Sequence, residues 1–384
     1  MNKRRTGHLV SFMQSSSYAE VLEFAIRHGW DLSMAEYRLT FSHYNHLNHS
    51  LKMSVSTNTM QVIQIEKNGS ANVLELRNIP LPCLGEGEVL VRNHFSGINF
   101  HDIYVRQGLY PTTTFPITLG CEGAGEVVTA HSSVVGYPPG TKVAYMAGPG
   151  VGSYSQYTRL TASSVVILPD SISTKQAATI LLQGLSAWSF IRAAADVKEG
   201  QWTLVHAAAG GVGGLMVQML HRVGAKIIAT AGSEEKCAIA LEKGAGWAVN
   251  SSKDDVIAKV KDITAGHGVD VIFDGVGRAT LDSDLDMIAM HGQLISFCNA
   301  SGPVPPFNIL RLGMKNVRLM RPLVSTYISN RDFFEKYSTE LFDMVATGEV
   351  QPTIHRIYPL AEAAKAQLAL ESRKTTGKVL LDCQ

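Results

Sequence analysis

The stretch Trp202 to Gly214, WTLVHAAAGGVGG, constrains the fold of this chain more than any other segment. It reads as a buried strand, WTLVH, turning through small residues into a helix that begins near Val212. Aligned on the dinucleotide fingerprint G-x-G-x-x-G, it offers Ala208, Gly210 and Gly213, with Gly211 and Val212 between the two glycines. The middle glycine of such a loop lets backbone approach a pyrophosphate, and the last lets helix and strand pack closely. Free N–H groups and the positive dipole end of the helix would face the phosphates. Glycine-rich turns also serve plain strand-to-helix packing, so the segments beyond Gly214 decide the matter.

Beyond Gly214, strand and helix patterns alternate regularly. Strands are expected at 202–206, 226–231, 246–250, 270–274, 293–298 and 317–320, with helices at about 212–223, 234–243, 253–264 and 279–289 between the earlier ones. Such alternation builds a doubly wound parallel sheet with right-handed crossovers, an α/β fold. The preceding part, from Met60 to about residue 173, is a series of short β-rich runs broken by turn residues, which points to a compact antiparallel domain. A helical pattern begins at about Thr174. The tail carries a helix from Arg331 to Thr347, a strand-like QPTIHRIYPL, a helix over roughly 361–371 and a last strand, GKVLLD. It is expected to return to the first domain and make that domain discontinuous.

With 384 residues the chain can bury a large core and divide into two domains. A formal net charge of +1 gives no electrostatic reason to expect nucleic acid or an anionic membrane as the main partner. No apolar run is long enough to span a bilayer. The five cysteines, Cys83, Cys121, Cys237, Cys298 and Cys383, lie far apart without a C-x-x-C pair. They form neither a disulfide framework nor a cysteine-rich zinc site, and suit a reducing compartment such as the cytoplasm. Residues 1–58 differ from the rest and read as a poorly ordered extension. MNKRRTGHLVSFMQSSS resembles the start of an organelle-targeting peptide, mitochondrial for example, although Glu20, Glu23, Asp31 and Glu36 come soon after it. Met53 and Met60 are alternative starts.

NAD-selective sites carry an acid roughly 20 residues past the glycines, at the end of the second strand. Here KIIATA ends at Ala231 and Gly232 takes that place, with Ser233 next and Lys236 one helical turn on. A hydroxyl and an ammonium at a helix start suit the 2′-phosphate of NADPH. The alternative is that Ser233 only caps the helix and Lys236 is a solvated charge.

HAAAGGVG, the run GINFHDIYVRQGLYP from Gly97 to Pro111, LGCEGAGEVV, FDGVGRATLD and ESRKTTGK together resemble the quinone oxidoreductase (zeta-crystallin-like) branch of the medium-chain dehydrogenase/reductases. The likeness runs from about Met60 to the C-terminus. It implies a GroES-like catalytic domain, 59–184 and 322–384, interrupted by a Rossmann domain, 185–321, with the active-site cleft between them. It also implies NADPH as cofactor, quinones or related conjugated carbonyls as substrates, and a homodimer or homotetramer. Zinc alcohol dehydrogenases share the architecture but place a cysteine three residues before the aspartate, where this chain has Asn99 before Asp102. Their Gly-His-Glu is here Gly120-Cys121-Glu122, and their third ligand position falls near Gln183. Two residues do not make the three protein ligands usual for catalytic zinc, so no metal is expected.

Matching the branch pattern, Asn99, Tyr104 and Tyr110 are the candidates for the catalytic cleft. Asn99 would orient the carboxamide or substrate oxygen, and the tyrosines would donate a hydrogen bond or stack on a flat acceptor. Alternatively, Asp102 and Arg106 form a loop-fixing pair and Tyr110-Pro111 is a packed turn. The resemblance further assigns Ser186, Phe297, Asn299, Ser301 and Arg373 to the surroundings of NADPH. Ser251 stands where relatives can place a tyrosine against the adenine or its 2′-phosphate. Two other functions remain open: an enone or alkenal C=C reductase, and a non-catalytic NADPH-binding protein, structural or RNA-associated.

Overall fold

The computed structural model describes residues 59–112, 114–148 and 150–384, so the extension expected over 1–58 and the start at Met53 lie outside the described residues. The β-rich part opens with β1 (Thr59–Ile65), β2 (Glu75–Pro80) and β3 (Glu88–Ile98), after which α1 (Phe100–Gln107) leaves the sheet. Then come β4 (Ile117–Thr118), β5 (Glu122–Ala130), β6 (Lys142–Met146), β7 (Tyr157–Thr161) and β8 (Val165–Ile167). A long helix, α2 (Thr174–Ser189), leads into the alternating part. This consists of β9 (Trp202–Val205), α3 (Gly211–Val223), β10 (Lys226–Ala231), α4 (Glu234–Glu242), β11 (Trp247–Asn250), α5 (Val256–Ile263), β12 (Val269–Asp274), α6 (Leu281–Met287), β13 (Ile288–Ser296) and β14 (Arg318–Met320). The tail adds α7 (Val324–Ile328), α8 (Arg331–Ala346), β15 (Ile354–Pro359), α9 (Ala363–Glu371) and β16 (Lys378–Asp382).

The alternating part forms one six-stranded sheet in the order β11-β10-β9-β12-β13-β14, with every pairing parallel. The strand order reverses between β9 and β12. Ligands of open α/β sheets bind at that reversal, beyond the carboxyl ends of the strands. The β-rich part makes a three-stranded sheet, β2-β1-β4, and a seven-stranded one in the order β15-β16-β3-β5-β6-β8, with β7 also on β3. β16 runs antiparallel to β3, pairing Leu380 with Gly97, so the tail does return to the first sheet system. One detail differs from an all-antiparallel expectation: β15 and β16 are parallel.

Two element boundaries differ from the pattern for identifiable reasons. The helix expected from 253 begins at Val256, because residues 251–254 form a turn and Asp255 caps the helix through Ala258 N. The helix expected to 289 stops at Met287, since Ile288 and Ala289 are buried at the start of β13. The boundary at 184/185 falls inside α2. Ser173 and Gln176 cap this helix reciprocally, and it continues through a π-turn over Phe190–Ala194. Most of its length is buried in the largest apolar cluster, which also takes in residues of β5, β6, α3, α8 and β16. No helix of the described residues is long and apolar enough to cross a membrane.

Candidate active site

The turn after β9 is tightest one residue earlier than the fingerprint alignment places it. Ala207 adopts the left-handed conformation at φ 50°, whereas Ala208 is fully buried and donates its N–H to Thr230 O. Gly210 caps α3 in an extended conformation and puts no side chain over the first turn. Gly211 and Val212 open the helix, half-buried. At Gly213 a Cβ would lie 2.5 Å from Ala207 O, so only glycine lets the helix sit this close to the strand. The first-turn amides are N–H donors at the positive end of a helix, the chemistry a pyrophosphate takes, and the Gln183 side chain lies against Gly211 beside them.

The tail closes over this loop. Gly377 N donates to Ala209 O at 3.3 Å, and Gly377 bridges to Gly210. Lys236 Nζ donates to the backbone carbonyl of Arg373 at 2.7 Å, so the ammonium of α4 is tied to the tail 137 positions on. Arg373, itself at φ 59°, donates through Nη2 to Ala300 O at 3.2 Å. Ser233 does cap α4, accepting from Lys236 N, but Lys236 is half-buried and anchored to the tail, not a free surface charge. Beside them Gly232 faces open space, since only Ser252 Oγ would come within 4 Å of its Cβ, at 3.6 Å. Ser251 is exposed and donates to Ala231 O.

The other edge of the crevice is the loop after β13. Asp274 at the end of β12 accepts from Val276 N, Gly277 N and Thr280 Oγ1, and Phe297 N donates back to Asp274 O. Ser301 Oγ donates to Val276 O and accepts from Ala279 N. Arg321 Nη1 holds the loop from below through Ser296 O and Cys298 O. Phe297 packs against Phe190 of the π-turn, with ring centroids 5.7 Å apart. Ser186 lies deeper in α2, its hydroxyl donating to Leu182 O.

From the first sheet system, α1 brings up the remaining candidates. Tyr104 Oη lies 3.1 Å from Cys298 Sγ and accepts from Asn299 N, which joins α1 to the carboxyl end of β13. Burial, with the Cys298 thiol beside it, pushes the Tyr104 hydroxyl well above the usual tyrosine range, so it stays protonated. Tyr110 packs edge-on to Tyr104 at 5.3 Å, and its hydroxyl makes no hydrogen bond among the described residues. His101 lies on Tyr110 in turn, at 5.5 Å.

One alternative needs correction, and Asn99 takes a narrower part than a free amide would. Asn99 is buried and its amide hydrogens are engaged, so it presents no free donor, while Oδ1 keeps one acceptor position. Nδ2 donates to Gly97 O and to Glu122 Oε1 at 2.9 Å, and Oδ1 accepts from Lys378 Nζ at 2.6 Å. Asp102 does not pair with Arg106. Its Oδ2 accepts from Asn99 N and Tyr154 Oη, while Arg106 pairs with Glu371 of α9.

Lys378 and Glu122 form a wholly buried ion pair beneath Asn99, and Glu122 Oε2 takes Leu182 N at 2.8 Å. Sequence reasoning assigned Lys378 no role. A lysine opening an apolar strand at GKVLLD was the available signal, and a Cβ at Gly97 would strike the same pair.

The donors do not suit zinc. His101, Asp102 and Cys121 offer atoms within 4.8 Å of one another. Burial, with Asp102 and Glu122 nearby, pushes the Cys121 thiol well up. Asp102 Oδ2 already accepts two hydrogen bonds, and the Lys378 ammonium supplies the cation that Glu122 faces.

Residues 85–170 match the family model of the alcohol dehydrogenase GroES-like domain, and residues 211–344 that of the zinc-binding dehydrogenases. A quinone oxidoreductase of Pseudomonas aeruginosa is 38% identical over 320 residues, covering 83% of this chain and 98% of the relative. A 2-haloacrylate reductase from a Burkholderia species is 32% identical over 324 residues, covering 83% and 97%. Among solved structures, Escherichia coli quinone oxidoreductase complexed with NADPH superposes with a TM-score of 0.82 at 37% identity, covering 84% of this chain and 99% of that one.

Proposed function

The chain belongs to the quinone oxidoreductase branch of the medium-chain dehydrogenase/reductases, and on that footing we propose that it is an NADPH:quinone oxidoreductase that works without a metal. Its main structural support is the crevice itself. The glycine-rich start of α3 and the tail-anchored Lys236 ammonium lie at one end, and the Tyr104–Tyr110 pair meets the carboxyl edge of the parallel sheet at the other. Residues 59–184 and 322–384 serve as the catalytic half and 185–321 as the dinucleotide half, with α2 running through both.

NADPH, when bound, supplies a hydride. The first-turn amides of Gly211, Val212 and Gly213 hold the pyrophosphate, with Ala208 and Gly210 shaping the loop. Ser233, Lys236, Ser251 and Arg373 would hold the 2′-phosphate, where an ammonium and a guanidinium would give charge-assisted bonds. Phe297, Asn299, Ser301 and Ser186 shape the reacting end. A conjugated acceptor spreads the incoming charge onto oxygen, so modest hydrogen-bond donation suffices where an unactivated ketone would need a Lewis acid. Half-buried Tyr110 offers a face to a flat acceptor, buried Tyr104 backs it edge-on, and the uncommitted Tyr110 hydroxyl is a donor to the acceptor. Asn99 is fixed by Glu122 and Lys378.

The 32% identical 2-haloacrylate reductase favours a second reading, reduction of a C=C bond next to an acid or carbonyl in the same cleft. NADPH and NADH oxidation measured against a panel of quinones and enones tests both. Turnover of neither acceptor class would overturn the assignment.

The assembly is a homodimer or larger homo-oligomer. β14 is one of the two edges of the parallel sheet, and Leu319 and Met320 on it, with Ile309, Leu310 and Met314 in the segment before it, are exposed apolar residues. Five free thiols support a reducing compartment such as the cytoplasm.

A further inference from the structure

Reducing a quinone to a hydroquinone takes a hydride and a proton, and most polar groups around the cleft cannot furnish that proton. Tyr104 is held between Cys298 and Asn299 and keeps its hydrogen. Cys121 is buried with its thiol pushed up, and Lys378 is locked against Glu122 and Asn99. Two groups remain: the Tyr110 hydroxyl and the imidazole of His101.

We propose that His101 is the general acid of this site, donating its proton to the oxyanion left on the acceptor after hydride transfer. This role rests on the reading of the chain as a reductase. His101 sits in the first turn of α1, two residues past Asn99, with its ring edge-on to Tyr110 at 5.5 Å. An acceptor lying on Tyr110 is therefore beside the imidazole. Nδ1 turns toward Asp102 Oδ1 at 3.9 Å, and Nε2 makes no hydrogen bond among the described residues. The side chain is 51% exposed, so solvent can return the proton after each turnover. Imidazole is also the side chain whose proton exchange spans neutral pH.

The step balances. A hydride and its electron pair pass from NADPH to the quinone, giving NADP+ and a hydroquinone monoanion. The imidazolium N–H bond then breaks as the product O–H bond forms, and neutral imidazole regains a proton from water. The ionisable groups facing His101 are Asp102 from its own helix, Tyr110 from the loop after α1 and Cys121 from the residue before β5. Tyr154 lies on Asp102, and the Glu122–Lys378 pair lies behind Asn99.

The test compares wild type with His101→Gln and His101→Ala in the full chain with NADPH. The wild-type kcat for benzoquinone falls on the alkaline side as the imidazolium is lost. In both variants kcat at neutral pH drops about 10- to 100-fold and that limb disappears. Added free imidazole restores His101→Ala and leaves the wild type unchanged. A second readout needs no turnover: absorbance titration of 4-nitrophenol, a stand-in for the phenolic product. Wild type at acidic pH binds its phenolate form about tenfold or more tightly than His101→Gln does. Wild-type kcat, pH limb and nitrophenolate affinity in the variants would overturn the proposal. Failure of the wild type to reduce any quinone or enone would instead overturn the functional reading, and the nitrophenol titration would still decide the role of His101.

Discussion

Lys236→Ala separates the two cofactors. In the structure its ammonium is half-buried at the start of α4, beside the open space of Gly232 and in contact with Arg373 O at 2.7 Å. A hydrogen bond to a charged group contributes about 1.5–3 kcal/mol. Partial exposure places this one toward the lower end, about 1.5–2 kcal/mol, which corresponds to a roughly 10- to 30-fold rise in the KM for NADPH. NADH lacks the 2′-phosphate and loses only the support that Lys236 gives to the tail loop, so its KM should change by about twofold at most. Initial rates with a saturating quinone, varying each cofactor in turn, give the two constants. Lys236→Gln keeps a hydrogen-bond donor without the charge, and should fall between. An unchanged ratio of the two KM values would remove Lys236 from the phosphate site and leave it as a strap on the tail.

Buried groups give two further outcomes. Lys378→Met strands the Glu122 carboxylate beneath Asn99 and should cost about 3–5 kcal/mol in urea unfolding, with part recovered when Glu122→Gln is added; a single variant within about 0.5 kcal/mol of wild type would show that the pair is not isolated from water. Burial raises the thiol of Cys383 to about 12, and raises that of Cys121 with the help of Asp102 and Glu122. At pH 8 both lie almost wholly as thiols below their folded values, so iodoacetamide should label exposed Cys83 first and reach these two only on unfolding. Mass spectrometry reads the order, and fast labelling of Cys121 in the native protein would count against its described burial.

The sequence was most legible where local rules act alone. The run from Trp202 to Gly214 announces a strand, a small-residue turn and a helix, because glycine at 213 answers a backbone contact only a few residues away. The alternation after it specifies a parallel sheet, since each helix must cover the strands it connects. The missing acid at Gly232 is likewise a local signal.

The active-site chemistry was less legible because it depends on side chains that meet only in three dimensions. Asn99 reads as a free amide until Lys378 and Glu122 arrive from β16 and the start of β5 and occupy it. Arg106 reads as a partner for Asp102 four residues away, yet the helix turns it to Glu371, while Tyr154 takes Asp102. Cys298 gives no sign of facing Tyr104, 194 positions distant.

By itself, then, the sequence determined the architecture and the dinucleotide loop, set by hydrophobic period and glycine sterics, and left Ser233 and Lys236 open between a 2′-phosphate site and a plain helix start. Only the tertiary structure decided which polar groups are already committed and which, like Tyr110 and His101, are left to meet a substrate. The reason is that a buried donor or acceptor must find a partner, and that partner is chosen by packing, not by proximity along the chain.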